Sequence, residues 1–155
     1  MAETPWRVQI VTLFPELFPG PLATSIVGTA LEREHWSLET IDIRAFGIGR
    51  HRSVDDTPAG GGAGMVMRAD VVANAVDAAR ATAPELPAIY LSPRGRPLTQ
   101  DLVREWAVGP GLMMLAGRFE GVDERVIEGR DLKEISIGDY VLSGGELAAM
   151  VTIDA

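Results

Sequence analysis

Leu112-Met113-Met114-Leu115-Ala116, followed at once by Gly117-Arg118-Phe119-Glu120-Gly121, is the stretch that decides the fold. Five consecutive apolar residues without polar alternation describe a strand buried on both faces, and the flanking glycines describe a tight turn at its carboxyl end. Ala88-Ile89-Tyr90-Leu91 before the turn Ser92-Pro93-Arg94-Gly95-Arg96-Pro97 repeats the pattern, and Leu132 to Ile137 before Gly138 repeats it again. Trp6–Leu13 and the alternating Leu38–Ile43 supply two more strands. Helical periods separate them. They cover Ser25–Glu34 with Ser25 as N-cap, Ala69–Thr82, a helix capped by Thr99 and running to about Ala107, Asp123–Gly129 closed by its glycine, and a helix opening at Glu146. Strands alternating with helices, the central ones apolar throughout, predict an α/β fold: a parallel sheet covered by helices on both faces.

At 155 residues the chain supports one domain with a real core. It has no cysteine, which excludes disulfides and thiolate metal sites. Met1-Ala2-Glu3-Thr4-Pro5 lacks the basic start of a signal peptide, and no apolar run approaches the roughly 20 residues of a membrane span. A soluble, cytoplasmic protein without membrane association is the expectation. The net charge of −8 argues against broad attraction to nucleic acid. It leaves room for a local basic site, since Arg44, Arg50, His51 and Arg52 fall close together, and Arg94, Arg96, Arg118 and Arg125 lie near glycine-bearing turns. Scattered solvated arginines are the plainer reading of the same residues.

Ligands of such sheets sit beyond the carboxyl ends of the strands, which directs attention to the turns after Leu91, Ala116 and Ile137. The chain contains no Gly-x-x-x-x-Gly-Lys-Ser/Thr, and Phe14-Pro15-Glu16 stands where a dinucleotide-binding Gly-x-Gly-x-x-Gly would follow the first strand. A Walker phosphate loop is therefore excluded, and a phosphate-cradling dinucleotide site is not expected. Three glycine-bearing turns suit a small ligand gripped by backbone, such as S-adenosylmethionine, and equally suit three ordinary tight turns. Ile135-Ser136-Ile137-Gly138-Asp139-Tyr140-Val141-Leu142-Ser143-Gly144-Gly145-Glu146 shows a strand opening into bared backbone, with Asp139 expected to secure its own loop. Glu120, in its glycine-flanked turn, is either a partly desolvated acid aimed into a cleft or a surface turn residue. Residues 44–64 hold six glycines around a charged centre and read as a structureless, functional or mobile connection. Asp55-Asp56 within it is a loop charge pair or a reader of a base edge.

Together these blocks resemble the bacterial tRNA guanine-N1 methyltransferases, a family of the knotted SPOUT superfamily that modifies the guanine just 3′ of the anticodon. The likeness runs in order through Val11-Thr12-Leu13-Phe14-Pro15-Glu16, Gly60-Gly61-Gly62-Ala63-Gly64-Met65, Tyr90-Leu91-Ser92-Pro93-Arg94-Gly95, Gly117 to Arg125 and Ser136 to Glu146. The chain departs from the family in Ala59, Phe119 and Ala148, where Tyr, Tyr and Pro are usual.

The resemblance implies a deep trefoil knot from about Tyr90 to the C-terminus, and residues 1–155 as the S-adenosylmethionine-binding domain with a flexible Gly-rich loop over about 45–64. It implies a cofactor site at Tyr90, Leu91, Ser92, Pro93, Gly117, Glu120, Gly121, Ile137, Gly138, Asp139, Tyr140, Val141, Leu142, Gly144 and Gly145. His51, Arg52, Asp55, Gly61 and Gly62 would face tRNA, and the working form would be a homodimer. Glu120 is the one catalytic candidate, through a Mg2+ requirement of the family. The family's Asp base and its Arg fall beyond Ala155, with the tRNA-binding domain, so that the chain is expected to bind the cofactor and not to transfer methyl alone. The alternative is a knotted module that binds RNA or a partner without methyl transfer.

Overall fold

The computed structural model describes residues 3–155; Met1 and Ala2, part of the N-terminal stretch read above, lie outside the described residues. The chain runs β1 (Trp6–Thr12), α1 (Ser25–Glu32), β2 (Trp36–Asp42), β3 (Asp55–Asp56), β4 (Val66–Met67), α2 (Ala69–Thr82), β5 (Ala88–Pro97), α3 (Gln100–Ala107), β6 (Gly111–Leu115), α4 (Glu124–Gly129), β7 (Lys133–Ser136) and α5 (Glu146–Asp154). Five strands form one sheet in the order β2-β1-β6-β5-β7, and every neighbouring pair is parallel. The expected α/β architecture is the observed one.

Side chains alternate across the sheet, so the apolar run of β6 feeds two cores. Met113 and Leu115 join Val11 and Tyr90 beneath α2 and α4, whereas Leu112 and Met114 join Val8, Ile10, Ile89, Leu91 and Ile135 beneath α1, α3 and α5. All four β6 side chains are at most 1% exposed, which stabilises the fold by roughly 1.5–3 kcal/mol each relative to solvent exposure. With both faces covered, the ligand-sized openings of such a sheet are left at its ends.

Four local expectations need correction. Ser25 does not cap α1: it sits at φ +59, Thr24 takes the cap position, and the Thr24 hydroxyl donates back to the Pro21 carbonyl. Gly129 does not close α4 in the left-handed region; Asp131 does, at φ +51. Residues 44–64 are not structureless, because Ile48 and Ser53 form a bridge and β3 pairs antiparallel with β4 just beyond the segment. The turn at Ser92–Pro97 is an interruption inside a longer strand. Leu91 and Arg96 both register on Ile135, so residues 92–95 loop out of the sheet and the chain then resumes pairing with β7. Thr99 caps α3 as read, accepting from the Leu102 N–H at 3.2 Å.

After β7, on the sheet's edge beside β5, the chain returns across β6 toward β1. The Gly145 N–H donates to the Gly117 carbonyl (3.0 Å), and α5 starts over the end of β1, where Glu146 meets Thr12.

Candidate functional site

The loop after β6, the outward loop of β5 and the segment between β7 and α5 converge on one cavity of about 460 Å³ at the carboxyl end of the sheet. That size falls within the roughly 300–1,000 Å³ of small-molecule sites. The cavity brings together fourteen of the fifteen residues implied as cofactor-binding: Tyr90, Leu91, Ser92, Pro93, Gly117, Glu120, Gly121, Ile137, Gly138, Tyr140, Val141, Leu142, Gly144 and Gly145. Asp139 is the exception. It is exposed and lines no part of the wall, and the Ser136 hydroxyl secures the loop in its place, donating to the Gly138 carbonyl (2.9 Å) while accepting from the Gly138 N–H (3.2 Å).

At Gly117 and Gly121 backbone forms the wall because Tyr90 fills the space that side chains would occupy. Tyr90 is 6% exposed, and a Cβ at Gly117 would stand 3.0 Å from its ring and 3.2 Å from its hydroxyl oxygen. Burial pushes the Tyr90 phenol above its ordinary value, so the group is a neutral donor at physiological pH. The cavity thus offers a buried aromatic, bared main-chain N–H and C=O groups, and apolar surface from Leu91, Ile135 and Ile137.

Glu120 lines the cavity as expected, but it is exposed and not partly desolvated. It packs against the glycine-rich segment: a Cβ at Gly64 would lie 2.8 Å from Glu120 Cγ, and the Glu120 N–H donates to the Met65 carbonyl (2.8 Å). The Met67 N–H donates to the Gly121 carbonyl (3.0 Å). Segment 64–67 is therefore tied to the cavity wall. His51, Arg52, Asp55, Gly61 and Gly62 lie in the connection leading to it and none lines the cavity; all but half-buried Asp55 are exposed. Phe119 holds φ +60, a sparsely populated conformation for an aromatic residue, and is half exposed at the cavity wall.

Two residues escaped the sequence reading. Arg118, there an ordinary solvated arginine, contributes to the wall and lies over the Phe14 ring with its guanidinium carbon 4.5 Å from the centroid. Glu146, there only a helix start, is 1% exposed. Its Oε1 accepts from the Thr12 hydroxyl (2.9 Å) and its Oε2 from Arg118 Nε–H (3.1 Å). No local pattern announced this, since its partners Thr12 and Arg118 lie far away in the chain. At the mouth, Arg94 Nη2 pairs with Glu134 (3.1 Å) and Glu124 (3.4 Å), an exposed network of small energetic weight.

A family model described as tRNA (Guanine-1)-methyltransferase TrmD matches residues 6–155. The chain is 61% identical to a tRNA (guanine-N(1)-)-methyltransferase of Bradyrhizobium diazoefficiens over 156 residues, covering 99% of this chain and 61% of that protein. It is 63% identical to the protein of that name from Nitrobacter winogradskyi, covering 97% and 62%. For that of Cereibacter sphaeroides ATCC 17023 the figures are 59%, 100% and 64%. The chain thus spans about three fifths of the length of the relatives it matches. It belongs to the tRNA (guanine-1)-methyltransferase family.

Proposed function

We propose that this member of the family holds S-adenosylmethionine in the 460 Å³ cavity and that, in the family's full-length form, it serves N1 methylation of the guanine 3′ of the anticodon in tRNA. The observation that carries the reading is the convergence of three strand-end loops on one cavity walled by glycine backbone and Tyr90. The fit is chemical: adenine pairs with main-chain N–H and C=O groups, a ribose with hydroxyl and backbone partners, and neither needs a phosphate cradle. Residues 90–93, 117–121 and 137–145 would hold the cofactor, which supplies an electrophilic methyl group on a sulfonium. The chain's own groups position and shield it: Tyr90 closes the floor, and Leu91, Ile137 and Leu142 exclude water.

The exposed loop with His51, Arg52, Asp55, Gly61 and Gly62 is the proposed tRNA face. Arginine and backbone suit phosphates, and aspartate accepts from a guanine edge. Its attachment to Glu120 and Gly121 would seat RNA beside the cavity. A Mg2+ ion fits there only as one that keeps most of its waters, since Glu120 is the wall carboxylate without an ion pair among the described residues. Exposed Leu147 and Val151 of α5, and Tyr140, Val141 and Leu142 of the loop before it, support a homodimer. The return of the chain from β7 across β6 is consistent with the implied trefoil knot, which belongs to this proposal. Among the described residues no helix is long and apolar enough to cross a membrane; a cytoplasmic site of action is part of the proposal.

Titration calorimetry with S-adenosylhomocysteine tests the core of the reading. A single saturable site per chain is expected, weakened by substitutions at Gly117. Folded protein that gives no heat while shifting tRNA in a gel would replace it with the RNA-binding module.

A further inference from the structure

A carboxylate that is 1% exposed and paired calls for a reason, because burying an ion pair brings little net stability. Glu146 touches no part of the cavity surface, yet it joins two of the segments that build it to the end of β1. One oxygen takes Thr12, whose hydroxyl oxygen also accepts the Phe14 N–H (3.0 Å); the other takes Arg118. Arg118 in turn lies over Phe14, its Nη1 reaches the Ser143 carbonyl (3.5 Å), and its own N–H points to Met67 Sδ (3.3 Å).

Gly144 explains the route. A Cβ there would overlap Arg118 Nε, so the first glycine of the pair makes room for an arginine and not only for a ligand. Gly145 abuts Ala116, where a Cβ would come within 2.9 Å of its Cα. The loop after β6 and the lead into α5 are thus clamped at a spacing set by the Arg118–Glu146 pair, with the Arg118 side chain 23% exposed at the cavity wall.

We propose that Glu146 is a positioning residue of the methyl-donor site: acting through Arg118, it fixes the separation of the Gly117–Gly121 and Ser143–Gly145 walls to that which the ligand requires. This rests on the reading of the cavity as the donor site. A purely structural ion pair would change how much protein is folded. A positioning pair changes how well the folded protein grips its ligand.

The test uses the 155-residue protein, its Glu146→Gln and Arg118→Gln variants and the double variant, each titrated with S-adenosylhomocysteine well below its own unfolding midpoint. Glu146→Gln keeps the volume and an acceptor while losing the charge. Each single variant should bind about tenfold more weakly, the low end of what removing the group behind a metal ligand costs. The double variant should bind no more weakly than the weaker single one, because the two act as a unit. Wild-type affinity in Glu146→Gln, with only the unfolding midpoint lowered, overturns the proposal and leaves the donor site standing. No binding by wild type removes both. If Glu146→Gln does not fold, Arg118→Gln decides alone, since its side chain is partly exposed: wild-type affinity there refutes the clamp, and a tenfold loss rescued toward wild type by Arg118→Lys supports it.

Discussion

Replacing Gly117 by alanine is the sharpest probe of the cavity. Gly117 is buried, and the added methyl would stand 3.0 Å from Tyr90 Cε2, 3.2 Å from its hydroxyl oxygen and 3.5 Å from Cζ. The first two spacings lie a few tenths of an ångström inside ordinary contact, so the ring must move. It has little room, because Tyr90 is 6% exposed within the core beneath α2 and α4, and its hydroxyl already abuts Gly121. Overpacking of this kind costs about 1–3 kcal/mol. Stiffening the unfolded chain offsets about 0.4–1 kcal/mol of that. The net loss centres on about 1.3 kcal/mol, which lowers Tm by about 3–5 °C in a domain of this length. The ring can yield only toward the cavity, so S-adenosylhomocysteine should bind at least about tenfold more weakly, a loss of about 1.4 kcal/mol. Gly129→Ala is the internal control. No atom lies within 4 Å of a Cβ at this α4 position, and helix propensity should raise stability by about 0.5–1 kcal/mol with affinity unchanged. Differential scanning calorimetry and ligand titration on both variants check the pair. Unaltered Tm and affinity in Gly117→Ala would refute the packing argument.

Asp123 caps α4, accepting the Arg125 N–H at 2.8 Å, so Asp123→Ala should cost about 1 kcal/mol in urea unfolding at neutral pH. The Arg125 side chain, then its backbone N–H, hold this carboxyl below its ordinary 3.8; the stabilisation is present above that pH and is lost as pH falls through the lower folded value, so wild type and variant should converge in acid. Burial raises the Tyr90 phenol, so unfolded protein ionises first above pH 10.0 and stability should fall there; a Tyr90→Phe protein should lack this alkaline loss in pH-dependent unfolding. Leu147→Arg places a charge on the exposed face of α5 and should yield monomers by sedimentation if that face joins two copies, while a dimer that persists would place the interface elsewhere.

The sheet was legible because its central strands carry no polar alternation: a run such as Leu112–Leu115 can only be buried on both sides, and that condition nearly dictates a parallel sheet. The cavity was legible for the same reason, since glycine turns at strand ends are a local signal. What escaped depended on distant pairings. Leu91 and Arg96 share Ile135 as partner, which no pattern within 88–97 announces. The role of Ser136 in place of Asp139 turns on how the chain bends after β7, which brings the Gly138 backbone back to the Ser136 hydroxyl. Glu146 needed Thr12, 134 positions away, to reveal itself.

The ties that shape the cavity begin where the sheet's own ladder stops. Backbone pairing between β1 and β6 ends at Leu115, and that between β5 and β7 at Ser136, so beyond those residues nothing repetitive holds the loops. The chain replaces the ladder with isolated contacts, each tying the loop after β6 to another segment: Gly145 to Gly117, Glu120 to Met65, Met67 to Gly121, and Arg118 to Glu146. Such contacts lack the cooperativity of a sheet, and each can be lost alone. Loops held in this way can give locally to admit a ligand while the strands beneath keep their register. The same arrangement makes the glycines necessary in two senses at once. They bare the backbone on the cavity side, and at Gly144 and Gly145 they let the tie pass on the other side, so a methyl added there would act on the ligand site from behind.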